Sequence, residues 1–240
     1  MYPRDQLKFS PAPTHFWEQA PKTAMVERFQ GFGFELGVEN DPLRREYTQA
    51  YHACISFIDA QIGLLFESLD RNGLADNTIV VLTSDHGYQL GEHFMWGKVT
   101  LFEVCDRVPL IVRVPSVTKA GSASDGLVEL IDLYPTLTDL CGVKPPGDLQ
   151  GKSFAKMLRD PTSSGKEVAY SVVTRGEHVG KAIRTGRWRY ARWPDGEELY
   201  DLESDPREHV NLAKSKKHAK IMLDVRRQLD NISKAAASRR

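Results

Sequence analysis

Between Asp41 and Gly73, apolar residues return every three or four positions: Tyr47, Tyr51, Cys54, Ile55, Ile58, Ile62, Leu65 and Leu69. That spacing draws one continuous stripe down an α-helix, and the fold must supply a surface to cover it. Asp41 is placed to cap the helix, Pro42 to fill its first turn and Gly73 to end it. The next apolar run, "TIVVLT" at 78–83, shows no polar alternation, the pattern of a central parallel strand buried on both faces. A long helix laid on such a sheet predicts an α/β fold.

A second strand is expected in "VPLIVRVP", 108–115, with Pro109 at its start and Pro115 at its end. A loop of about 14 residues and a short helical turn at Leu101–Cys105 separate the two strands, and loops of that length tend to carry function. "ELIDLYPTLTDLCGV" reads as a helix stopped by Gly142, and "GKSFAKMLRDP" as a shorter one. Beyond "DPTSSGKE" the pattern changes to short strands joined by tight turns. The expected division is an α/β part over 1–162 and a small antiparallel-sheet subdomain with a C-terminal helix over 163–240. That helix groups Ile221, Val225, Leu229 and Ile232 on one face. In "RWRYARW", Trp188, Tyr190 and Trp193 are read as one packed sheet face with the arginines opposite, rather than as base-stacking residues.

Lys plus Arg and Asp plus Glu number 32 each, so no net field points to nucleic acid or an anionic membrane. No apolar run approaches the roughly 20 residues that span a bilayer. Cys54, Cys105 and Cys141 fit neither a zinc pattern nor a disulfide framework and read as single buried thiols. The first 25 residues lack the apolar core of a signal peptide; Pro3, Pro11, Pro13 and Pro21 make them an irregular surface segment.

Asp85 and His86 stand where the 78–83 strand ends. In open α/β sheets, ligands bind beyond the carboxyl ends of the strands. A carboxylate there suits Ca²⁺ or Mg²⁺, an adjacent imidazole completes the sphere or bonds the substrate, and Lys98 offers an ammonium to an oxyanion. From these residues alone, sulfuryl or phosphoryl transfer stands beside a plainer reading, a capped turn with a satisfied histidine. Arg107 is read as an anion contact or a surface ion pair, and His178 as a residue near a substrate rim.

"TSDHGYQLGEHFMWGKVTLFEVCDRVPLIVRVP" resembles the metal-and-lysine segment of type I sulfatases, nearest the branch that includes iduronate-2-sulfatase and related bacterial enzymes. The similarity runs back through "YHACISFIDAQIGLLFESLDRNGLADNTIVVL" and resumes at "EELYDLESDPREHVNLA". It implies an alkaline-phosphatase-like fold, with a parallel-type sheet, flanking helices and a small C-terminal antiparallel sheet. It assigns Asp85 and His86 to metal ligation, with Ca²⁺ expected and Mg²⁺ as the alternative. It assigns Lys98 to the substrate's sulfate, and His93, with Glu92, to the pocket lining or to structure.

Such enzymes use a formylglycine made from the Cys of Cys-x-Pro-x-Arg. None of the three cysteines is followed by that pattern, and in Ser204-Asp205-Pro206-Arg207 the arginine arrives one residue early. The family's upstream Asp pair, Lys and His have no counterpart either. No catalytic nucleophile is therefore assigned within these residues. The expectation is the C-terminal part of a sulfatase hydrolysing sulfate esters, of sulfated glycans among others, and inactive alone. A non-catalytic pseudoenzyme and a phosphatase or phosphodiesterase of the same superfamily are the alternatives. Weak Ca²⁺ binding and self-association through exposed apolar surface are expected, and the resemblance implies a periplasmic, extracellular or lysosomal setting.

Overall fold

The structure, a computed structural model, describes residues 1–9, 13, 16–25 and 41–237. Pro11 of the proline-rich segment and the last three residues of the tail lie outside the described residues. The N-terminal segment is irregular as expected, its described residues holding 3-10 turns at Arg4–Gln6 and Lys22–Ala24 and a short α-helix, α1 (Phe16–Gln19). Residues 1–9 lie at the surface as expected, but residues 16–25 are in good part buried. Phe16 and Ala24 are fully buried, and Phe16, Ala20 and Met25 share a core with Met95, Phe102 and Tyr200. A stretch without apolar periodicity gives no face to read; tertiary partners set its burial.

Helix α2 (Asp41–Arg71) spans the long stripe. Asp41 lies in its first turn, where Arg45 Nε donates to Asp41 Oδ2 at 2.8 Å. Gly73, at φ 65°, donates to Asp70 O while the Leu74 N–H reaches Leu69 O, the paired bonds that satisfy a helix's last carbonyls. Tyr47 and Tyr51 pack on Tyr88. Further along, Ile58 is 55% and Leu65 66% exposed, so the expected sheet contact ends with the first turns.

Strand β1 (Val80–Thr83) leads into a small hairpin, β2 (Gln89–Leu90) and β3 (Trp96–Gly97), then α3 (Glu103–Asp106) and β4 (Leu110–Arg113). β1 pairs with β4 in an antiparallel register, from Val80 opposite Arg113 to Thr83 opposite Leu110. The α/β mixture holds, but this pair runs opposite to the parallel orientation expected. Parallel neighbours need a crossover along the sheet. The residues between β1 and β4 fold instead into the hairpin and α3. Nor is the pair buried on both faces, since Ile111 is 60% exposed.

After α4 (Leu133–Leu140) and α5 (Ala155–Arg159), four antiparallel strands follow in sequence order: β5 (Val168–Arg175), β6 (His178–Thr185), β7 (Trp188–Trp193) and β8 (Gly196–Asp201). The closing helix, α6 (Ala219–Ala237), sets Met222, Val225 and Leu229 against Ile183, Tyr190 and Leu199. The other sheet face, through Ala182, Ala191 and Trp193, covers Leu101 and Ala24. Trp193 therefore faces away from Tyr190, not with it. They stand three positions apart, and an odd spacing reverses the face of a strand. Arg189, expected on an outward face, is buried on Trp193's side. Cys105 is buried as expected, whereas Cys54 and Cys141 are exposed. No described helix is long and apolar enough to cross a membrane.

Candidate functional site

Beyond the end of β1 the chain passes Ser84 and presents Asp85 and His86 side by side. His86 Nδ1 lies 2.9 Å from the Gly87 carbonyl, which can only accept, so Nδ1 carries the proton and Nε2 a free lone pair. That lone pair faces the Asp85 carboxylate, His86 Nε2 standing 3.6 Å from Asp85 Oδ2. Two acceptors turned toward each other at this distance are suited to sharing a cation, with a backbone carbonyl fixing the imidazole from behind. The Asp85 side chain is 84% exposed and that of His86 36%, so both are open to a ligand. Among the described residues no three His, Cys, Asp or Glu side chains converge as a metal cluster. The pair thus supplies one carboxylate and one imidazole nitrogen toward a sphere in which Ca²⁺ takes six to eight ligands, chiefly oxygens.

Lys98 follows the last paired residue of the hairpin. Gln89 pairs with Gly97 and Leu90 with Trp96, so one step beyond the last pair brings the chain to Tyr88 on one strand, two residues after His86, and to Lys98 on the other. Lys98 is exposed. Gly87 is required where it stands, because a Cβ there would sit 2.1 Å from the Val104 carbonyl oxygen. Its N–H donates to Cys105 O at 2.8 Å, locking the residue after His86 onto α3.

Of the two readings expected for His93, pocket lining or structure, its position fits the second. It is 3% exposed, its ring stacked on Phe102 at 4.1 Å and packed against Phe16. Gln89 Nε2 donates to its Nδ1 at 3.2 Å, and its Nε2 donates to Arg207 O at 2.9 Å. Burial pushes its pKa down to about 3, so the ring is neutral. Glu92 turns inward too, its Oε2 accepting the Leu90 N–H at 2.5 Å. Arg107 and His178 are both exposed, His178 opposite Arg175 at the β5–β6 turn.

The loop rests on a buried ionic network that sequence reasoning missed. Arg189 pairs with Glu208 and donates to Leu101 O at 2.7 Å, and Glu208 Oε2 accepts the Glu103 N–H at 2.7 Å. Arg189 also lies over the rings of Phe102 and Tyr200. Burial raises the Glu208 pKa to about 7 against the pull of Arg189, and burial likewise pushes the Cys105 thiol up to about 11. Period-two parity places Arg189 on Trp193's side of β7 and was the available signal; its partner, 19 residues on, carried none. A cleft of about 500 Å³ beside this region is lined by Arg44, Thr48, His52 and Glu92, and by none of Asp85, His86 or Lys98.

Comparison with known proteins places the chain. A sulfatase family model matches residues 7–143, and a model described as N-sulphoglucosamine sulphohydrolase, C-terminal, matches residues 91–235. A sulfatase of Formosa agariphila is 37% identical over 170 residues, covering 70% of this chain and 33% of the relative. Iduronate 2-sulfatase of Mus musculus is 27% identical, covering 94% of this chain and 56% of that protein. A solved structure of a protein in complex with its substrate D-glucosamine-2-N,6-O-disulfate superposes with a TM-score of 0.77 at 32% identity, covering 81% of this chain and 42% of that one. The chain thus spans between a third and just over half of the length of these proteins. Its alkaline-phosphatase-like α/β fold with a small antiparallel sheet is theirs. With each of two models matching more than half of its residues, the chain belongs to the sulfatase family.

Proposed function

We propose that this chain forms the metal-binding and sulfate-binding side of an enzyme that hydrolyses sulfate esters, with sulfated glycans as the substrate class. The observation that carries the reading is the facing pair of Asp85 and His86, with Lys98 at the same end of the hairpin. Asp85 and the free Nε2 of His86 would hold a Ca²⁺ ion, or Mg²⁺ in its place, and the bound cation would supply electrostatic stabilisation to the sulfuryl oxygens. Lys98 binds the sulfate group from its own side and offsets its charge. His93 and Glu92 act behind the pocket, neutral imidazole and backbone-bonded carboxylate holding the loop in shape.

The nucleophile and the remaining metal donors come from residues outside these 240, since no Cys-x-Pro-x-Arg occurs among them. The chain alone accordingly turns over no sulfate ester, and its Ca²⁺ affinity is weak, roughly millimolar, because two donors leave most of the coordination sphere to water. The glycan substrate rests on the disulfated glucosamine bound by one structural relative.

The test is an NMR titration of the labelled chain with inorganic sulfate and, separately, with Ca²⁺. Sulfate is expected to shift the amides of Gly97–Val99, and Lys98→Ala to remove the response. Ca²⁺ is expected to shift Asp85 and His86, and Asp85→Asn to abolish that shift. A sulfate response mapping elsewhere and indifferent to Lys98→Ala would overturn the assignment. Inorganic phosphate binding tighter than sulfate at the same amides would favour the phosphatase alternative.

A further inference from the structure

We infer that Arg175, on the small C-terminal sheet, is a positioning residue for Lys98, acting through the backbone of Val99. This rests on the reading of Lys98 as the sulfate contact and adds to it a residue from a separate part of the fold. Lys98 is flanked by two left-handed residues, Gly97 at φ 99° and Val99 at φ 72°. Together these two turns set the direction in which the lysine leaves the hairpin. The glycine adopts its conformation without cost. The valine does not: a β-branched side chain at positive φ is a genuine outlier and persists only where the surroundings impose it.

What imposes it is visible. Arg175 Nε donates to Val99 O at 2.8 Å, and Arg175 Nη2 donates to the same oxygen. Its Nη1 donates to Thr23 O at 2.7 Å and to Met25 O at 3.0 Å, and its guanidinium lies over the Trp193 ring, 4.8 Å from the centroid. The fork is thus anchored on a rigid strand end and spends two of its donors on one carbonyl. Burial lowers its pKa to about 10, still far above neutrality, so the clamp is charged under all ordinary conditions. A lysine could not reproduce the planar, two-donor grip.

The mechanism makes an unusual demand: glycine at position 99 should repair the loss of an arginine 76 residues away. Without Arg175, valine relaxes to negative φ and turns Lys98 away. Glycine populates both signs of φ about equally, so a large share of chains keeps the lysine in place. The experiment compares wild type, Lys98→Ala, Arg175→Gln, Val99→Gly and the double variant Arg175→Gln/Val99→Gly. The readouts are inorganic sulfate affinity and backbone order parameters at Lys98–Thr100, with circular dichroism confirming that each variant is folded.

Arg175→Gln is expected to weaken sulfate about tenfold, the scale on which a misplaced contact group acts, and to lower the order parameters. The double variant should recover to within about threefold of wild type. Unchanged order parameters in Arg175→Gln would overturn the clamp. Lost order with wild-type affinity, or no recovery in the double variant, would overturn the positioning role and leave only a structural one. Lys98→Ala binding sulfate as wild type does would instead sink the functional reading, and this inference with it.

Discussion

The β5–β8 sheet and helix α2 carry apolar patterns that are equally plain in the sequence, yet they meet different fates. The sheet is covered on one face by α6 and on the other by Leu101, Ala24 and the loop that bears the candidate site. Helix α2 buries only Arg44 and Thr48 completely, and its middle turns expose Ile55, Phe57, Ile58, Leu64 and Leu65. Strands β1 and β4 likewise leave Leu82 and Ile111 open. Periodicity states which side chains favour burial; it does not state that a covering surface is at hand. The candidate site lies where these regions meet, with Asp85 and His86 at the end of the open pair β1–β4 and its support on the closed sheet.

If the support is as decisive as its burial implies, the largest effect belongs to Arg189→Met. The substitution keeps most of the stem's packing but leaves Glu208, almost wholly buried, without its ion-pair partner and takes one nearby cation from buried Glu198. Breaking one side of such a pair costs about 3–5 kcal/mol. Urea unfolding should show the midpoint falling accordingly. Replacing Arg189 and Glu208 together by apolar residues should recover much of the loss, because the penalty comes from the orphaned charge. A single substitution costing under about 1 kcal/mol would mean the network is not holding the loop.

His93 gives the next effect and a distinctive sign. Its folded pKa, about 3, lies below the ordinary 6.5, so the unfolded chain takes up the proton first. The stability it contributes is complete above pH 6.5 and is lost as pH falls toward 3. Over the interval from pH 6.5 to roughly pH 4 the loss amounts to at most about 3 kcal/mol. Asp106 and Glu208, both shifted upward chiefly by burial, push stability the other way over part of that range. The useful measurement is therefore the difference between wild type and His93→Asn, which should shrink as the pH is lowered. A difference independent of pH would place His93 in contact with solvent and reopen its role in the pocket.

These residues also mark how far the sequence could be read. The end of α2 at Gly73, the inward face of α6 and the strands of the small sheet follow from local rules, and the structure has them. Asp85, His86 and Lys98 stood out as candidates because strand, loop and charge lie close together along the chain, and their roles were expected from the family resemblance. What escaped is what depends on distant partners. Phe16 is buried because it meets His93 and Phe102, and nothing within its own segment says so. Arg189 with Glu208, and Arg175 with Val99, join points far apart in sequence through geometry that no period encodes. The antiparallel course of β1 and β4 escaped for the same reason: an apolar strand does not carry the direction of its neighbour.

The smallest effect should come from the strongest periodic signal. Ile58→Lys with Leu65→Lys alters two positions of the α2 stripe that the sequence marks for burial and the structure leaves more than half exposed. More than half exposed, the pair should change the unfolding free energy by less than about 0.5 kcal/mol. Its effect should appear instead in association, since two lysines interrupt a continuous apolar patch of the kind that draws copies together. Sedimentation velocity over a concentration series would register a drop in any self-association of the wild-type chain. A loss of 2 kcal/mol or more, at the scale of burying a large apolar side chain, would instead mean that the α2 face is covered in solution. In that event the two regions would differ in the partner that covers them, and no longer in whether they are covered.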